Sequence, residues 1–500
     1  MLGREDSGVS WRGAGARASS GGGRAVLSGG VDVGPWAPAQ PSNASSPLVA
    51  PWPRAAAAAG AQQLFVLGAR ATVTWDNASQ WGLGRGEARA GADGFTTDSA
   101  LPRAWPAPAS VELIFQRNWQ QNRCNVAGVE ALANGSTLVR VAQPCWAFGA
   151  SVGQLPGPPG APTWVANAAA PTALAPGAWT LSADGASVFY APRSTAERAA
   201  LLAGGAGVAV APALPLLLAV HGAEALGFAD IDFAFAGWPG PTAASGGFIE
   251  RYGGVLYVEC ESGGGGGGGG GNATLPPCVQ QDPPFALAMT PAAVQVTASR
   301  GVTFTGCGFL HLGGTALGLY NGTAESGVSG GAFSDLSGGA VFLGNVNETQ
   351  SEDPAEQARG LFVEDLTFEG FGAQFQGAVA ITLFAATDSS IVHNAIGPGP
   401  YSGISFGWPV PQNQTFSRNN SLVGNSVRGA CRVGTDGGSV HTIGPMPGAL
   451  IAENFLANDS HGHAALYIDN TSADFMCLRN VIDSSHYWFW IQQSGGHNAS

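Results

Sequence analysis

From Val302 onward the chain alternates apolar and small residues in short runs that keep returning. The run VTFTGCGFLHLGGTALGLYNG is followed by VSGGAFSDLSGGAVFLGN, so that Phe309, Leu312, Gly314, Leu317 and Leu319 recur 24 residues later as Phe333, Leu336, Gly338, Val341 and Leu343. The pattern continues, with loops added, through VEDLTFEGFGAQFQGAVAITL, SSIVHNAIGPGPYSGISFG, SLVGNSVRGACRVGTDGGSVHTIG and ALIAENFLANDSHGHAALYIDN. A last partial copy is FMCLRNVIDSSHYWFWIQQSGGHN, and an earlier one is LGFADIDFAFAG. Each unit is an apolar alternation, a small-residue turn and a second alternation such as ALGL, AVFL, GISF or ALYI. One unit cannot bury its inward side chains, but stacked units share a continuous core. A period of about 20–30 residues with β texture predicts a parallel β-solenoid; the Leu-x-x-Leu-x-Leu frame of a leucine-rich repeat is not sustained. Asn394, Asn425, Asn454 and Asn480 fall at equivalent turns, where stacked amides can bond from rung to rung and αL-tolerant corners suit them.

Upstream the texture differs. Residues 1–60 are rich in Gly, Ala, Pro and Ser, with one strand-like piece, RAVLSGGVDV, and read as a partial edge of the solenoid plus a low-complexity segment. Residues 61–220 alternate short β-like runs (QLFVLGA, ATVTW, SVELIF, STLVRVA, WTLSADGASVFYAP) with turn signals, and read as an inserted β-rich subdomain. The best helical pattern there is TAERAALLAG, with Ser194 as its N-cap. Residues 221–500 carry the repeats, interrupted by nine consecutive glycines, Gly263–Gly271, which read as a loop insertion.

Composition narrows the classes. The chain has 76 Gly and 33 Pro, 45% hydrophobic and 11% charged residues, and its 21 basic residues are all Arg. Too many apolar residues are present for a disordered chain, and heptads are missing, which excludes a coiled coil. A net charge of −13 gives no footprint for nucleic acid. No apolar run is long enough to span a membrane.

Other features point outside the cytosol. Eleven Asn-x-Ser/Thr sequons occur, and Asn134, Asn272, Asn321, Asn347, Asn413 and Asn458 are taken as the glycosylation candidates. Of seven Cys, Cys124 with Cys145 and Cys260 with Cys278 could each close a small loop in an oxidising compartment; Cys307, Cys431 and Cys477 are left as thiols. The first residues hold Asp and Glu and no apolar stretch of a leader. A secreted or cell-wall protein is therefore expected to continue beyond both ends of this chain.

The stretches HNAIGPGPYSGISFGW, GTDGGSVHTIGPMPGALIAEN and ALYIDNTSADFMCLRNVI resemble the right-handed parallel β-helix repeat proteins of the pectate-lyase-like superfamily. They look most like a group related to β-helix glycoside hydrolases, which carries similar PYSGIS-GW, DGGAIYTLG and GLYLDEGS stretches. Upstream, QLFVLGARA, VELIF, VAQPCW, WTLSADGASVFYAPR and GFIER, and the early DSGVSWRGAGARASSGGGRAVLSGGVDVGPW, are similar to segments of the same group. The resemblance covers nearly the whole chain through short motifs. It implies an all-β, right-handed parallel β-helix and a carbohydrate-directed activity.

Glycoside hydrolysis needs two carboxyl groups, about 5 Å apart for retention or 6.5–9.5 Å for inversion. Asp436 in TDGG and Asp469 in LYID sit inside the motifs that carry the resemblance, and they are the catalytic candidates, with roles unassigned. If Leu466 and Ile468 point inward, Tyr467 and Asp469 point outward, with His441 beside Tyr467 on the adjoining rung. Asp436 also fits a turn residue before Gly-Gly, and Asp469 an Asx cap at a strand end. His441, Tyr467, Tyr401, Trp408 and His463 are the substrate-binding candidates; Tyr487, Trp488 and Trp490 are further aromatics near coil edges, and core packing competes for each. The group often shows Asp-Glu where this chain has Asp469-Asn470, and a glycan on that sequon would crowd the cleft. His461-x-His463 lacks a third metal ligand, so no cofactor is implied, although β-helix lyases often use Ca²⁺.

The leading expectation is a glycoside hydrolase acting as a monomer on a cell-wall or extracellular polysaccharide or oligosaccharide, without nucleic-acid or membrane partners. A polysaccharide lyase, with Arg428 or Arg432 near the site, and a non-catalytic glycosylated solenoid are the alternatives.

Overall fold

In a computed structural model the described residues are 1–13, 24–43, 45–153, 155, 160–238, 240, 246–260, 285–409, 415–459 and 461–492. The glycine run, Asn272, Cys278 and Asn413 lie outside them. Three nine-stranded parallel sheets form a right-handed parallel β-helix. One coil is a strand from each sheet in turn, such as Ser421–Val423, Ser426–Arg428 and Val440–Thr442. The predicted 24-residue repeat is the stacking register: Phe309 faces Phe333, Leu312 faces Leu336, Leu317 faces Val341 and Leu319 faces Leu343.

The core follows from strand alternation. Inward positions of the third sheet read Val294, Leu317, Val341, Ile381, Ile404, Val440 and Leu466 up the stack, all buried. In the second sheet Phe233, Phe309, Phe333 and Phe368 stack face to face, with ring centroids 5.2, 4.5 and 4.9 Å apart. At the corner between the first and second sheets Asn394 donates to Asn425 (2.9 Å), Asn425 to Asn454 (3.0 Å) and Asn454 to Asn480 (2.9 Å). Each amide also donates to a carbonyl on the preceding coil, such as Ile391 for Asn425, so these buried amides are satisfied along the ladder. The left-handed backbone sits one residue before each Asn, at His393, Gly424, Glu453 and Arg479, and not on the Asn itself. The amide must face inward to reach the next rung, so its neighbour takes the turn.

The first coil is assembled from distant chain segments. Ser10–Arg12 stacks on Gly227–Ala229, and Ala25–Ser28 on Ile231–Ala234. The chain therefore leaves the helix after Ser28 and rejoins it at Leu218. The departure begins within the segment that composition assigns to the helix edge: Gly30–Asp32 pairs antiparallel with Ala209–Pro212 in the inserted body. Gly and Pro mark turns, and turns do not reveal which sheet a strand joins. The expected helix is Thr195–Ala203, with Ser194 Oγ accepting from Glu197 N at 3.1 Å.

A second excursion separates Ala234 from Ala292. Its strand Gly247–Tyr252 pairs antiparallel with Gln121–Ala131 of the first insertion, which joins both excursions in one ten-stranded sheet. Cys124 and Cys145 form a disulfide inside that body's core. The excursions dock on the helix through buried polar groups. Arg123, paired with Glu112 in its own sheet (2.8 Å), donates to the Gln374 carbonyl of the helix and lies over Phe375. Glu250 accepts from the backbone of Gln121 (2.8 Å) and Gly254 (3.3 Å).

Burial raises the Glu250 carboxyl from its usual 4.5 to about 7, against the pull of those hydrogen bonds and of Arg123. The folded protein thus holds a proton that the unfolded chain releases near 4.5. That contribution to stability is full below this value and is lost as pH rises through 7, a change of about 3 kcal/mol. Asp459, raised to about 6 by burial, adds with the same sign. Thermal melting should fall from pH 5 to pH 8 in the wild type, and more shallowly in Glu250→Gln. Equal slopes for the two proteins would remove this assignment.

Candidate active site

On the outer face of the third sheet the column Thr382, Ser405, His441, Tyr467 and Trp490 climbs the stack in register. The second excursion lies across it: a Cβ on Gly254 would fall 2.8 Å from the Phe342 ring, and Tyr252 meets His441 edge-on at 6.0 Å. A flat solenoid face thereby becomes a walled pocket of about 380 Å³, lined by both candidate aspartates with His441, Tyr467, Tyr252 and Arg251 among others.

Asp469 follows the strand Leu466–Ile468 and turns its carboxylate onto the pocket wall. It accepts from His441 Nε2 at 3.1 Å and from the Tyr467 hydroxyl at 3.0 Å. Burial alone would raise its pKa; the His441 hydrogen bond and charge, the Asn470 backbone N–H and the Tyr467 hydroxyl outweigh it and hold the carboxyl below its ordinary value. Asp469 is therefore held ionised. Asp436 reaches the pocket from the loop before Val440–Thr442. The backbone here is fixed from two sides: the Tyr401 hydroxyl donates to the Asp436 carbonyl (2.5 Å), and the Thr435 and Asp436 N–H groups both point to the Asn118 carbonyl (2.7 and 3.5 Å) in the inserted body. Gly437 and Gly438 permit this approach, since a Cβ would meet Tyr401 at 2.6 Å and the Ala464 carbonyl at 2.0 Å respectively. The Asp436 carboxylate lies 4.0 Å from His463 Nδ1.

The two carboxylates share a neighbour. The Tyr467 phenol donates to Asp469, and its pKa is raised, first by burial and then by Asp469 and Asp436, which line the same pocket. Several positions of coil register separate the aspartates along the sequence, and the loop before Val440 brings Asp436 to the pocket that Asp469 lines.

The other predicted residues divide between wall and support. His441 and Tyr467 line the pocket. His463 stacks on Tyr467 at 4.8 Å and meets Trp490 edge-on, so it braces the phenol from behind. Tyr401 is 1% exposed and anchors the Asp436 loop more than it offers a ring face. Trp408 is buried against Tyr252, 5.0 Å away and nearly parallel, and serves as a platform for Arg251. Trp488 is exposed away from the pocket. Arg428 lies over Phe455 and Arg432 bonds to the Gly429 carbonyl; neither lines the site. Among the described residues no three His, Cys, Asp or Glu side chains could hold a metal ion.

Trp119, Arg251, Tyr252 and Tyr257 enter from the excursions and were not legible in the repeats. The available signal was GFIER, a strand-like run carrying Glu250 and Arg251 just before the glycine run. Of the candidate sequons, Asn134, Asn347 and Asn458 are exposed and Asn321 is half-buried. Asn470 lines the pocket.

Fold and pocket together define a right-handed parallel β-helix protein whose inserted β body walls a two-carboxylate site. A solved structure described as a glycoside hydrolase is similar over 93% of this chain and 82% of its own, with a TM-score of 0.72 and 22% identity. The A-module of an Azotobacter vinelandii mannuronan C-5 epimerase matches over 56% of this chain and 76% of its own, at 10% identity and a TM-score of 0.24. A GH136 lacto-N-biosidase from Eubacterium ramulus matches over 53% of this chain and 60% of its own, at 10% identity and a TM-score of 0.24. At 22% identity the first likeness establishes the fold alone, and the other two carry no argument. No protein-family model and no curated protein match the chain.

Proposed function

We propose that this protein is a glycoside hydrolase acting on an extracellular or cell-wall polysaccharide, with Asp469 as nucleophile and Asp436 as acid/base. The supporting observation is that Asp436 and Asp469 line one pocket together with Tyr467, whose hydroxyl donates to Asp469. Asp469, kept ionised by His441 and Tyr467, suits attack on the anomeric carbon. Asp436 would give its proton to the departing glycosidic oxygen and then take one from the water that releases the sugar from Asp469. A carboxylate held ionised beside the anomeric carbon suits the nucleophile of the retaining, two-step course. The buried disulfide and the exposed sequons support an oxidising, extracellular setting. Among the described residues no helix is long and apolar enough to cross a membrane.

The test is a polysaccharide panel assayed for new reducing ends, with the first-formed anomer followed by proton NMR. Retained configuration is expected. An inverted product would reassign Asp469 as a base. An unsaturated, ultraviolet-absorbing product would replace hydrolysis with elimination, and binding without any cleavage would leave a glycan-binding solenoid.

A further inference from the structure

Arg251 is placed in the pocket by a local irregularity. In the ladder between Gly247–Tyr252 and Val255–Val258, Glu250 pairs with Leu256 and Tyr252 with Val255, leaving Arg251 as the extra residue of a β-bulge. A bulge breaks the strict alternation of faces and re-aims a side chain. Here Glu250 stays in the docking interface while both Arg251 and Tyr252 reach the pocket. The guanidinium lies 5.0 Å from the Trp408 ring and 5.9 Å from the Tyr257 ring, so two aromatic faces fix its plane.

A second stacked arginine in the same sheet shows what is missing. Arg123 lies over Trp75 and Phe375 and is paired with Glu112 at 2.8 Å. Arg251 has the aromatic platform, but among the described residues no carboxylate pairs with it. The nearby Asp469 is already held by His441 and Tyr467. A planar donor with a fixed orientation and no carboxylate partner among the described residues suits bidentate binding of an oxyanion.

We propose that Arg251 is the specificity-determining residue of the pocket and selects a glycan bearing an anionic group, a carboxylate or a sulfate ester, on the sugar beside the scissile bond. This rests on the pocket being the glycan site proposed above. The protein's charge of −13 offers no general attraction for a polyanion, so recognition of that group falls on this guanidinium.

Binding is measured by affinity electrophoresis of the full chain in gels containing polygalacturonate, its fully methyl-esterified form, a sulfated galactan or neutral xyloglucan. The wild type is expected to be retarded by an anionic gel, and Arg251→Gln to lose about ten- to a hundredfold in affinity there, a charged hydrogen-bonded pair being removed. Retardation by xyloglucan should not change. Loss of binding on methyl esterification identifies a carboxylate, and retention by the sulfated galactan identifies a sulfate. Arg251→Lys should recover only part of the affinity, because a point charge lacks the planar fork. Competition of wild-type binding by galacturonate, and not by galactose, gives the same reading without a variant. Equal anionic binding by wild type and Arg251→Gln overturns the proposal, as does a wild type retarded by no anionic gel. Arg251-dependent binding without hydrolysis would sink the hydrolase reading and leave this one standing.

Discussion

Asp469→Asn is expected to lower turnover of the best polysaccharide by about 10³-fold or more while leaving the melting temperature close to wild type. The carboxylate holds its charge because His441, Tyr467 and the Asn470 N–H surround it, and an amide keeps much of that hydrogen bonding but cannot attack. Asp436→Asn should cost a similar factor on the polymer and distinctly less on an aryl glycoside whose phenolate leaves without protonation. That contrast separates the roles, since loss of the nucleophile is felt with any leaving group. If the aryl substrate rescues Asp469→Asn and not Asp436→Asn, the roles are reversed; unchanged rates in both variants would remove both residues from the mechanism.

Phe333→Ala should destabilise the helix by about 3–5 kcal/mol. The ring is buried between Phe309 and Phe368 in a stacked aromatic column, so its removal leaves a cavity between them. A parallel solenoid is held by contacts between adjoining coils, so the loss should be local. Hydrogen exchange ought to rise most in Phe309–Leu312 and Thr367–Glu369, and least around His441 and Asp469. Phe333→Leu, which refills most of the volume, should cost less than half as much. Protection unchanged near Phe309, or lost evenly along the stack, would contradict a coil-by-coil account.

The solenoid was legible because its physics is one-dimensional. Phe309 and Phe333 face one another for the same reason that they lie one repeat apart: each coil is a single period of chain. The Asn ladder was legible on the same ground, and only its handed corner shifted by one residue. Outward placement of His441, Tyr467 and Asp469 likewise follows from strand alternation.

Sequence by itself therefore determined the parallel stack, its apolar interior, the helix capped by Ser194 and the two aspartates worth considering. Tertiary structure decided that Ala25–Ser28 belongs with a strand some two hundred residues onward, that two separate excursions share one sheet, and that this sheet covers His441. It also decided that Asp436 and Asp469 line one pocket, the burial of Tyr401 and Trp408, and the entry of Arg251. The reason is physical. Periodicity encodes contacts between neighbouring coils, whereas an antiparallel body packed across the stack leaves no repeating mark, and a single bulged residue such as Arg251 breaks the very alternation by which a sequence is read.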